Sequence, residues 1–301
     1  MTKNKVILFL SSDEFYPQFE VALDSVFKHE PDADVWLLYF NTDPDRGFDA
    51  TRRIHDPRVR LVHPWEIIPN PNTDYPIADF IASHRAAFIL RALADYEKVL
   101  LLGSDCVVYK PISLWDWLGD SAYQDETPWA LHDMLLTPHI TKPFPDDGLH
   151  PDHEDMLHVG QMNVDVMAFR RCSDVISFLQ WVHLMLQKYC LRDKTRNLFS
   201  DQTWFNFAFS MVPYCGAISY SAVNVAYWNV LQRDLQLQTR PYQTEPEWFV
   251  DGGALLEIFQ FSGMCWEDPA QMSVHQNRYR AEGDVLKIYT DYVEAVNAKR
   301  S

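Results

Sequence analysis

One stretch of the sequence decides the fold: Tyr96-Glu97-Lys98-Val99-Leu100-Leu101-Leu102-Gly103-Ser104-Asp105-Cys106-Val107-Val108. Its uninterrupted apolar run at 99–102 is typical of a strand that is buried on both faces. A carboxylate follows closely on this run, and a second short apolar run begins directly after it. This order predicts that Asp105 projects from the edge of a sheet, where a diphosphate or its metal ion would bind. The alternative is that Asp105 only caps a turn.

Strand and helix patterns alternate before this stretch. Apolar runs predict strands at 6–10, 35–40 and 59–62, and helical spacing predicts helices at about 15–26 and 86–93. Ser11-Ser12-Asp13 predicts the N-cap of the first helix. Such alternation predicts an α/β fold with a mostly parallel central sheet flanked by helices. Ligands bind such sheets beyond the carboxyl ends of the strands.

The second half of the chain has a more irregular pattern. Residues 120–160 are rich in proline and acidic side chains, which predicts a long polar loop of the kind that is usually functional or mobile. A helix is predicted at about 173–190. Because no internal repeat or flexible linker interrupts the sequence, we expect one domain over residues 1–301.

Charge and cysteine usage narrow the class of protein. The 301 residues carry 26 Lys and Arg against 42 Asp and Glu, a formal net charge of −16. Such a surface repels nucleic-acid backbones and anionic lipids, which argues against generic binding to either.

The run at 6–10 is too short for a signal peptide, and no run approaches the ~18 apolar residues of a membrane helix. Five cysteines without CxxC spacing are typical of reduced thiols, so we expect a cytoplasmic protein.

The stretch at 96–112 resembles a known signature. It is similar to "KVLYLDADILV" of the GT-A glycosyltransferases, in which an Asp-x-Asp motif binds the metal ion and the sugar nucleotide. Asp105 matches the second aspartate of that motif, whereas Gly103 stands in place of the first. The resemblance therefore implies the GT-A fold, with half of the metal motif lost.

Further blocks follow in the order found in glycosyltransferase family 8 and its relatives. Ser11-Ser12-Asp13-Glu14-Phe15-Tyr16 is similar to the loop that touches the nucleotide base. Ser83-His84-Arg85 lies where those enzymes carry an arginine near the diphosphate, and Arg91 is a competing candidate. Ala130-Leu131-His132-Asp133 resembles a strand that ends in a sugar-contacting aspartate. Gly160-Gln161-Met162-Asn163-Val164-Asp165-Val166-Met167 resembles "FNAGVML", in which the asparagine holds the donor sugar.

The likeness continues towards the C-terminus. Ser200-Asp201-Gln202-Thr203-Trp204-Phe205-Asn206 matches "DQDxLN" from the acceptor-facing part of the site, and Phe259-Gln260-Phe261-Ser262-Gly263 matches "xHFxG". Bacterial relatives found around polysaccharide biosynthesis share three more blocks, at 136–140, 224–229 and 273–279. Some eight blocks in the right order cover about residues 6–280.

What the resemblance implies is a glycosyltransferase that uses a nucleotide-activated sugar, with a UDP-sugar as the first choice. Residues 1–120 then form the nucleotide-binding half, and 121–301 form the half that binds the sugar and acceptor. The acceptor is a hydroxyl group of a polysaccharide, lipid-linked sugar, small molecule, protein or modified DNA. The implied donor site comprises Ser12, Asp13, Tyr16, Arg85, Arg91, Ser104, Asp105, Asp133, Asn163, Gln260, Ser262, Gly263 and His275.

Catalysis requires stabilisation of the leaving diphosphate and a well-placed acceptor. Asp201 is the first candidate for contact with the acceptor, ahead of Asp165 and Asp133. Gln202 aligns with a residue that lies near the reacting carbon in the family-8-like group. Asp165 stands where the family usually has glycine, and it could orient sugar hydroxyls or replace part of the lost metal site; a solvated strand end is the alternative.

Two metal-ligand positions differ from the family pattern. Gly103 replaces the first aspartate, and Gln260 replaces the histidine that is usually the third ligand. Carboxylates and imidazoles hold Mn²⁺ or Mg²⁺ better than a carboxamide does. Three alternatives follow. The metal is held loosely through Asp105, or the enzyme needs no metal because Arg85, Arg91 or Lys98 neutralises the diphosphate. The third alternative is that the protein binds its ligand without turnover.

Two other hypotheses compete with the transferase. A catalytically inactive protein of the same fold would bind a sugar nucleotide or glycan without turnover, as the altered metal positions suggest. A nucleotidyltransferase would need a glycine-rich, lysine-containing loop after the first strand, and that loop is missing from the sequence. Five histidines at 132–158 make a zinc site imaginable, but their spacings fit no standard zinc motif.

Overall fold

A computed structural model describes residues 3–42, 50, 53–119, 131–241 and 244–300. Its strands are β1 (Lys3–Ser12), β2 (Asp34–Phe40), β3 (Val59–Val62), β4 (Tyr96–Leu102), β5 (Cys106–Val108), β6 (Met134–Pro138), β7 (Met162–Arg170), β8 (Arg192–Asp193), β9 (Leu198–Phe199), β10 (Cys215–Ala217), β11 (Leu235–Gln238), β12 (Glu247–Val250), β13 (Ala254–Leu255) and β14 (Ile258–Gln260).

The α-helices are α1 (Tyr16–His29), α2 (Pro64–Ile67), α3 (Ile77–Ser83), α4 (Arg85–Asp95), α5 (Leu114–Trp117), α6 (His153–Val159), α7 (Ser173–Tyr189), α8 (Gln202–Phe205), α9 (Ala208–Met211) and α10 (Gly283–Arg300). Short 3₁₀ turns lie at Lys194–Arg196, Val230–Gln232 and Pro269–Gln271. No described helix is long and apolar enough to span a bilayer.

A seven-stranded sheet forms the centre of the fold, in the order β10-β6-β7-β4-β1-β2-β3. Its neighbours pair in parallel except at β7, which runs antiparallel to both β4 and β6. The predicted α/β fold with a mostly parallel sheet is confirmed. Because β7 runs in the opposite direction, its amino-terminal end lies beside the carboxyl ends of β1 and β4, with Val166 opposite Leu102.

Apolar layers cover both faces of this sheet. Alternate residues of β1 point to opposite sides: Val6 and Leu8 pack with α4 and α7, whereas Ile7 and Phe9 pack with α1. A third apolar cluster joins α10 to the strands β11, β12 and β14. The predicted strands at 6–10, 35–40, 59–62 and 99–102 and the helices at about 86–93 and 173–190 are all present within these layers.

The short antiparallel pair β5–β14 connects the C-terminal half of the chain to the end of β4. Gln260 lies opposite Cys106 in this pair, and the backbone N–H of Phe261 donates to the carbonyl of Asp105 at 2.9 Å. This pairing places Gln260 beside Asp105, close to the end of β4.

Three local predictions are wrong. Phe15, not the Ser11–Asp13 segment, holds the N-cap position of α1, and it makes no side-chain capping bond. The predicted loop at 120–160 contains β6 and α6, because Met134, Leu135 and Leu136 fill the buried space between β7 and β10. Residues 120–130, including Ala130 of the block expected to end in Asp133, lie outside the described residues. The strand begins after Asp133 instead of ending there.

Candidate active site

Two cavities meet at the carboxyl ends of β1 and β4. The larger one has a volume of about 700 Å³, and most of its lining residues belong to the segments 139–165, 199–202 and 227–277. The smaller one has a volume of about 140 Å³ and is lined by Gly103, Ser104 and Asp105. Arg85 and Asp165 line both cavities and form the wall between them. This arrangement provides a small compartment beside the signature strand and a wide one beyond it.

Asp105, Asp165 and Gln260 form a contiguous polar cluster in this wall. The Nε2 amide of Gln260 donates to Oδ2 of Asp165 at 2.8 Å and lies 3.4 Å from Oδ1 of Asp105. Gln260 is fully buried, and its Oε1 atom has no hydrogen-bond partner among the described residues. One carboxamide therefore bridges two carboxylates.

The missing side chain of Gly103 makes room for Asp165. A Cβ atom at position 103 would lie 2.7 Å from Oδ1 of Asp105 and 3.0 Å from Cβ of Asp165. The backbones are also joined, because the N–H of Gly103 donates to the carbonyl of Asp165 at 2.7 Å. The carboxylate of Asp165 thus approaches, from the facing strand, the place that a side chain at 103 would take.

Arg85 connects this cluster to Asp201. Its Nη1 atom lies 3.0 Å from Oδ1 of Asp165, and its Nε atom lies 2.7 Å from Oδ2 of Asp201. The contact with Asp201 is an ion pair that is not aligned as a hydrogen bond. Arg85 begins α4, and Asp201 directly precedes α8, so two helix starts point these opposite charges at each other.

The carboxylates of this site have perturbed acidities. Burial, followed by repulsion from Asp165, raises the pKa of Asp105 to about 7. Burial also raises the pKa of Asp201 to about 6, against the lowering effect of Arg85. A cleft in which burial and a like charge shift carboxyl pKa values towards neutrality is typical of functional sites.

Hydrogen bonds hold asparagine and glutamine side chains in the wall of the larger cavity. Oδ1 of Asn163 accepts from the backbone N–H of Asp165 at 2.9 Å and from Nδ2 of Asn224 at 3.1 Å. Asn224, fully buried, also donates to Oγ1 of Thr137 at 2.7 Å. Gln202 donates through Nε2 to the carbonyl of Val159. These bonds leave both Asn163 and Gln202 on the cavity wall.

Ser262, Gly263 and His275 lie at the rim of the larger cavity. Gly263 has a φ of 61°, and a Cβ there would lie 2.4 Å from Cδ2 of His275. Only glycine permits both this left-handed backbone and the close approach of the imidazole. Ser262 and His275 both line the cavity.

Other predicted residues lie elsewhere. Arg91 pairs with Asp95 at 2.9 Å on the outer face of α4, and its guanidinium lies over the ring of Trp36. Asp133 forms a buried ion pair with Arg170 at the opposite end of the sheet, because β6 starts only after it. Lys98 lies at that same end, where its Nζ donates to main-chain carbonyls of the α5 region. The structure does not bring these three residues to the cavities.

The residues after β1 are tied to their neighbours. The carboxylate of Asp13 accepts from the hydroxyl of Tyr39 and, at 2.7 Å, from the N–H of Thr42. Tyr16 is buried in an edge-on contact with Tyr39. Ser12 is buried at the end of β1, and Ser104 donates to the carbonyl of Leu10 at 2.8 Å. Ser104 lines the smaller cavity, whereas Ser12, Asp13 and Tyr16 line neither of the two cavities.

Some residues of the larger cavity had no assigned role in the sequence. His139 donates through Nδ1 to the carbonyl of Gly160, 2.8 Å away, and packs edge-on against Trp228. Burial lowers the pKa of His139 to about 4, so the imidazole is neutral. Tyr227 and Trp228 also line the cavity. The sequence signal for these residues was the blocks at 136–140 and 224–229, in which Tyr227 and Trp228 were candidates for stacking on a sugar or base, with a place in the core as the alternative.

Of the five histidines at 132–158, one joins a group with possible metal ligands. The donor atoms of His150, Asp152 and Asp155 all lie within 4.8 Å of one another. Asp152 and Asp155 form the capping box of α6, and His150 pairs with Asp155 at 2.7 Å. The capping of the helix accounts for this acidic group.

Comparison with solved structures places the fold among glycosyltransferases. The galactosyltransferase LgtC, solved with donor and acceptor sugar analogues, matches 97% of this chain and 95% of its own length at a TM-score of 0.53 and 14% identity. GlyE of Streptococcus pneumoniae TIGR4 matches at 0.51 and 12% identity, and the bifunctional enzyme WbbM matches at 0.54 and 12%. This chain covers 63% of GlyE and 50% of WbbM. No family model and no curated protein matches the sequence.

The class that these observations define is therefore a structural one. The expected GT-A fold is confirmed by the seven-stranded sheet and by its likeness to these glycosyltransferases. Because the identities are low, the likeness establishes the fold, and the chemistry has to be argued from the site.

Proposed function

We propose that this protein is a glycosyltransferase that transfers a sugar from a nucleotide-diphosphate sugar, with UDP as the first choice of nucleotide, to an acceptor hydroxyl. The observation that carries the proposal is the cluster of Arg85, Asp105 and Asp165 in the wall between two cavities. It lies beyond the carboxyl ends of β1 and β4, which is where nucleotide ligands bind in sheets of this kind.

Arg85 is the residue that we assign to the diphosphate. It borders both cavities, and its guanidinium has a planar fork of donors that fits phosphate oxygens. The ion pairs with Asp165 and Asp201 hold it in place before a ligand arrives. When the bond between the sugar C1 and the phosphate oxygen breaks, its electron pair leaves on the diphosphate, and a fixed cation stabilises that charge.

A divalent cation, which the fold family implies, fits the residues present. Asp105 and Asp165 would hold it, and Gln260 offers a third oxygen, the unpartnered Oε1, once its amide end turns over. Oxygen ligands of this type suit Mg²⁺ and Mn²⁺. Such an ion would supply further positive charge to the leaving diphosphate.

The larger cavity is assigned to the donor sugar and the acceptor. Asn163, held by Asn224, presents its amide at the cavity wall and orients sugar hydroxyls. Asp201 and Gln202 lie across the cavity and are assigned to the acceptor and to the surroundings of the reacting carbon. A carboxyl pKa of about 6 suits Asp201 to accept a proton from a hydroxyl near neutral pH.

A second candidate function rests on Gln260. Its amide already bridges the two carboxylates where the family has a histidine ligand, which favours a protein of the same fold that binds a sugar nucleotide or glycan without turnover. The transferase and the binding protein differ only in turnover, so one assay separates them.

Donor hydrolysis across a panel of nucleotide sugars tests the proposal, with Mn²⁺, with Mg²⁺ and with EDTA. The transferase releases free nucleotide from one donor, and R85Q lowers the rate by about a hundredfold. Turnover that persists in EDTA would assign the charge stabilisation to Arg85 alone. Nucleotide binding without release, even with candidate acceptors present, would favour the inactive protein, and the absence of both would contradict both functions.

A further inference from the structure

The segment from α7 to the end of α9 and the residues just after it exposes many large apolar side chains. Twelve large apolar side chains are exposed in the described residues, and six of them lie between 184 and 214: Leu184, Tyr189, Phe207, Phe209, Met211 and Tyr214. Contiguous exposed apolar surface of this kind marks an interaction site in a protein. The rest are scattered over the surface.

Aromatic rings form the centre of this surface. Tyr189 stacks on Trp204 with ring centroids 5.9 Å apart, and Trp204 stacks on Phe207 at 6.4 Å. Trp181 packs edge-on against both Trp204 and Phe207. Phe207 is 46% exposed and Met211, one turn further along, is 41% exposed. Tryptophan and tyrosine rings at an exposed apolar surface are typical of contact with a membrane interface.

The same part of the chain is basic although the protein is acidic. Residues 181–214 contain four Lys and Arg against two Asp, whereas the whole chain has a net charge of −16. Lys188, Lys194 and Arg196 are exposed at the edge of the rings, and the guanidinium of Arg196 lies 5.5 Å from the centroid of Tyr189. Exposed cations of this kind attract a negative surface locally, although the chain as a whole is acidic.

We propose that this aromatic–basic face, formed by Trp181, Lys188, Tyr189, Lys194, Arg196, Trp204, Phe207 and Met211, docks the protein on an anionic lipid bilayer. Lysine and arginine side chains attract anionic headgroups, and the rings and Met211 insert at the interface. A symmetric contact between two copies is disfavoured, because it would bring the same positive side chains together.

Docking at this face would also present the larger cavity to the lipid surface. Arg192 and Phe199 line that cavity, as do Asp201 and Gln202, which precede Trp204 in the chain by three and two residues. The cavity and the face therefore share α8 and the β8–β9 hairpin. This geometry points to a lipid-linked sugar as the acceptor, an extension that rests on the proposed function, whereas the docking itself does not.

Vesicle sedimentation tests the docking with the full chain. We expect binding to phosphatidylcholine vesicles that contain about a third phosphatidylglycerol, weaker binding as salt rises, and little binding to phosphatidylcholine alone. K188E/K194E/R196E and F207S/M211S should each lower the vesicle partition coefficient by about tenfold or more. Matched controls are K28E/R280E/K287E and I77S/L231S, which change exposed residues outside the face and should bind as the parent does.

The outcomes separate docking from the proposed function. All these variants should keep the parent's affinity for UDP, because none of the changed residues lines a cavity. Equal binding of the parent to both kinds of vesicle, or face variants that bind as the parent does, would overturn the proposal. A dimer in light scattering that F207S/M211S abolishes would assign the face to a second copy instead. Loss of UDP binding in the parent would remove the donor site but leave a positive vesicle result standing.

Discussion

Gly103 and Asp165 face each other so closely that a side chain at position 103 would require its neighbours to shift. A Cβ at 103 would lie 3.0 Å from Cβ of Asp165, and the backbones are joined by an N–H to carbonyl bond of 2.7 Å. The glycosyltransferases that the sequence resembles have the reverse arrangement, with aspartate at the first position and glycine at the second. In this chain the carboxylate therefore lies on the facing strand β7, whereas in the family pattern it lies at the end of β4.

The opposite arrangement of aspartate and glycine at positions 103 and 165 predicts that a single and a double variant differ in stability. G103D should destabilise the protein, because it adds a third carboxylate to a space that is already filled, and overpacking costs about 1–3 kcal/mol. G103D/D165G should recover most of that loss. Thermal unfolding measures both effects. G253D is the control, since a Cβ at Gly253 meets no atom within 4 Å. A double variant no more stable than G103D would contradict the exchange.

The cation site gives a second prediction. Mn²⁺ binding, followed by electron paramagnetic resonance in the presence of UDP, should weaken by about tenfold or more in D105N and in D165N, because each loses one of the two carboxylate ligands. D155N, which changes the capping group of α6, is the control and should bind Mn²⁺ at the wall site as before. If D165N binds as tightly as the parent, Asp165 does not hold the ion.

Removal of the bridging carboxamide gives a third prediction. Q260L should lower the free energy of unfolding by about 1–3 kcal/mol in EDTA, since the two carboxylates lose their shared donor. Denaturant unfolding measures this change. Q238L alters an exposed glutamine of β11 and should have little effect. An unchanged stability of Q260L would show that the bridge contributes nothing.

The raised pKa of Asp105 predicts a pH dependence of stability. The folded value of about 7 lies above the ordinary 3.8, so the folded state binds more protons between these values than the unfolded state does. Stability from this group is complete at low pH and is lost as the pH rises through about 7. The stability of the parent relative to D105N in EDTA should therefore fall between about pH 4 and pH 7 and level off above that. A difference that does not vary with pH would contradict the shift.

Arg85 and Arg91 form a matched pair on the same helix. R85K should lower donor turnover by about a hundredfold, because a lysine cannot supply the fork that faces Asp165, Asp201 and the diphosphate. R91K should keep the parent's rate, since Arg91 pairs with Asp95 on the outer face of α4. Steady-state kinetics on the active donor measure both. Equal losses in the two variants would remove Arg85 from its assigned role.

The sequence predicted the sheet well because its strands are buried on both faces. The apolar runs of β1, β2 and β4 are unfavourable at a surface exposed to water. Their pattern therefore predicts both a strand and its position in the buried centre of the sheet. Asp133 shows where this reasoning fails. The strand β6 begins one residue after it, and that small shift carries the side chain to the far end of the sheet and into an ion pair with Arg170.

The site could be predicted only in part, because some of its contacts join residues that are far apart in the sequence. Asp105, Asn163, Asp201 and Gln202 follow recognisable blocks, and the structure gathers them around the cavities. The bridge from Gln260 and the ion pair between Arg85 and Asp201 join residues that are 95 or more positions apart, which no local pattern records. The net charge of −16 is a sum over the whole chain and carries no information on where individual cations such as Arg196 lie.

The most direct test of the central claim is calorimetric titration of UDP into the parent, R85Q and D105N, each with Mn²⁺ and with EDTA. We predict binding by the parent and an affinity loss of about tenfold or more in R85Q under both conditions, because the guanidinium holds the diphosphate whether or not an ion is present. D105N should lose affinity in Mn²⁺ and little in EDTA. No binding of UDP or any other nucleoside diphosphate by the parent, or an R85Q affinity equal to that of the parent, would contradict a donor site at the wall between the two cavities.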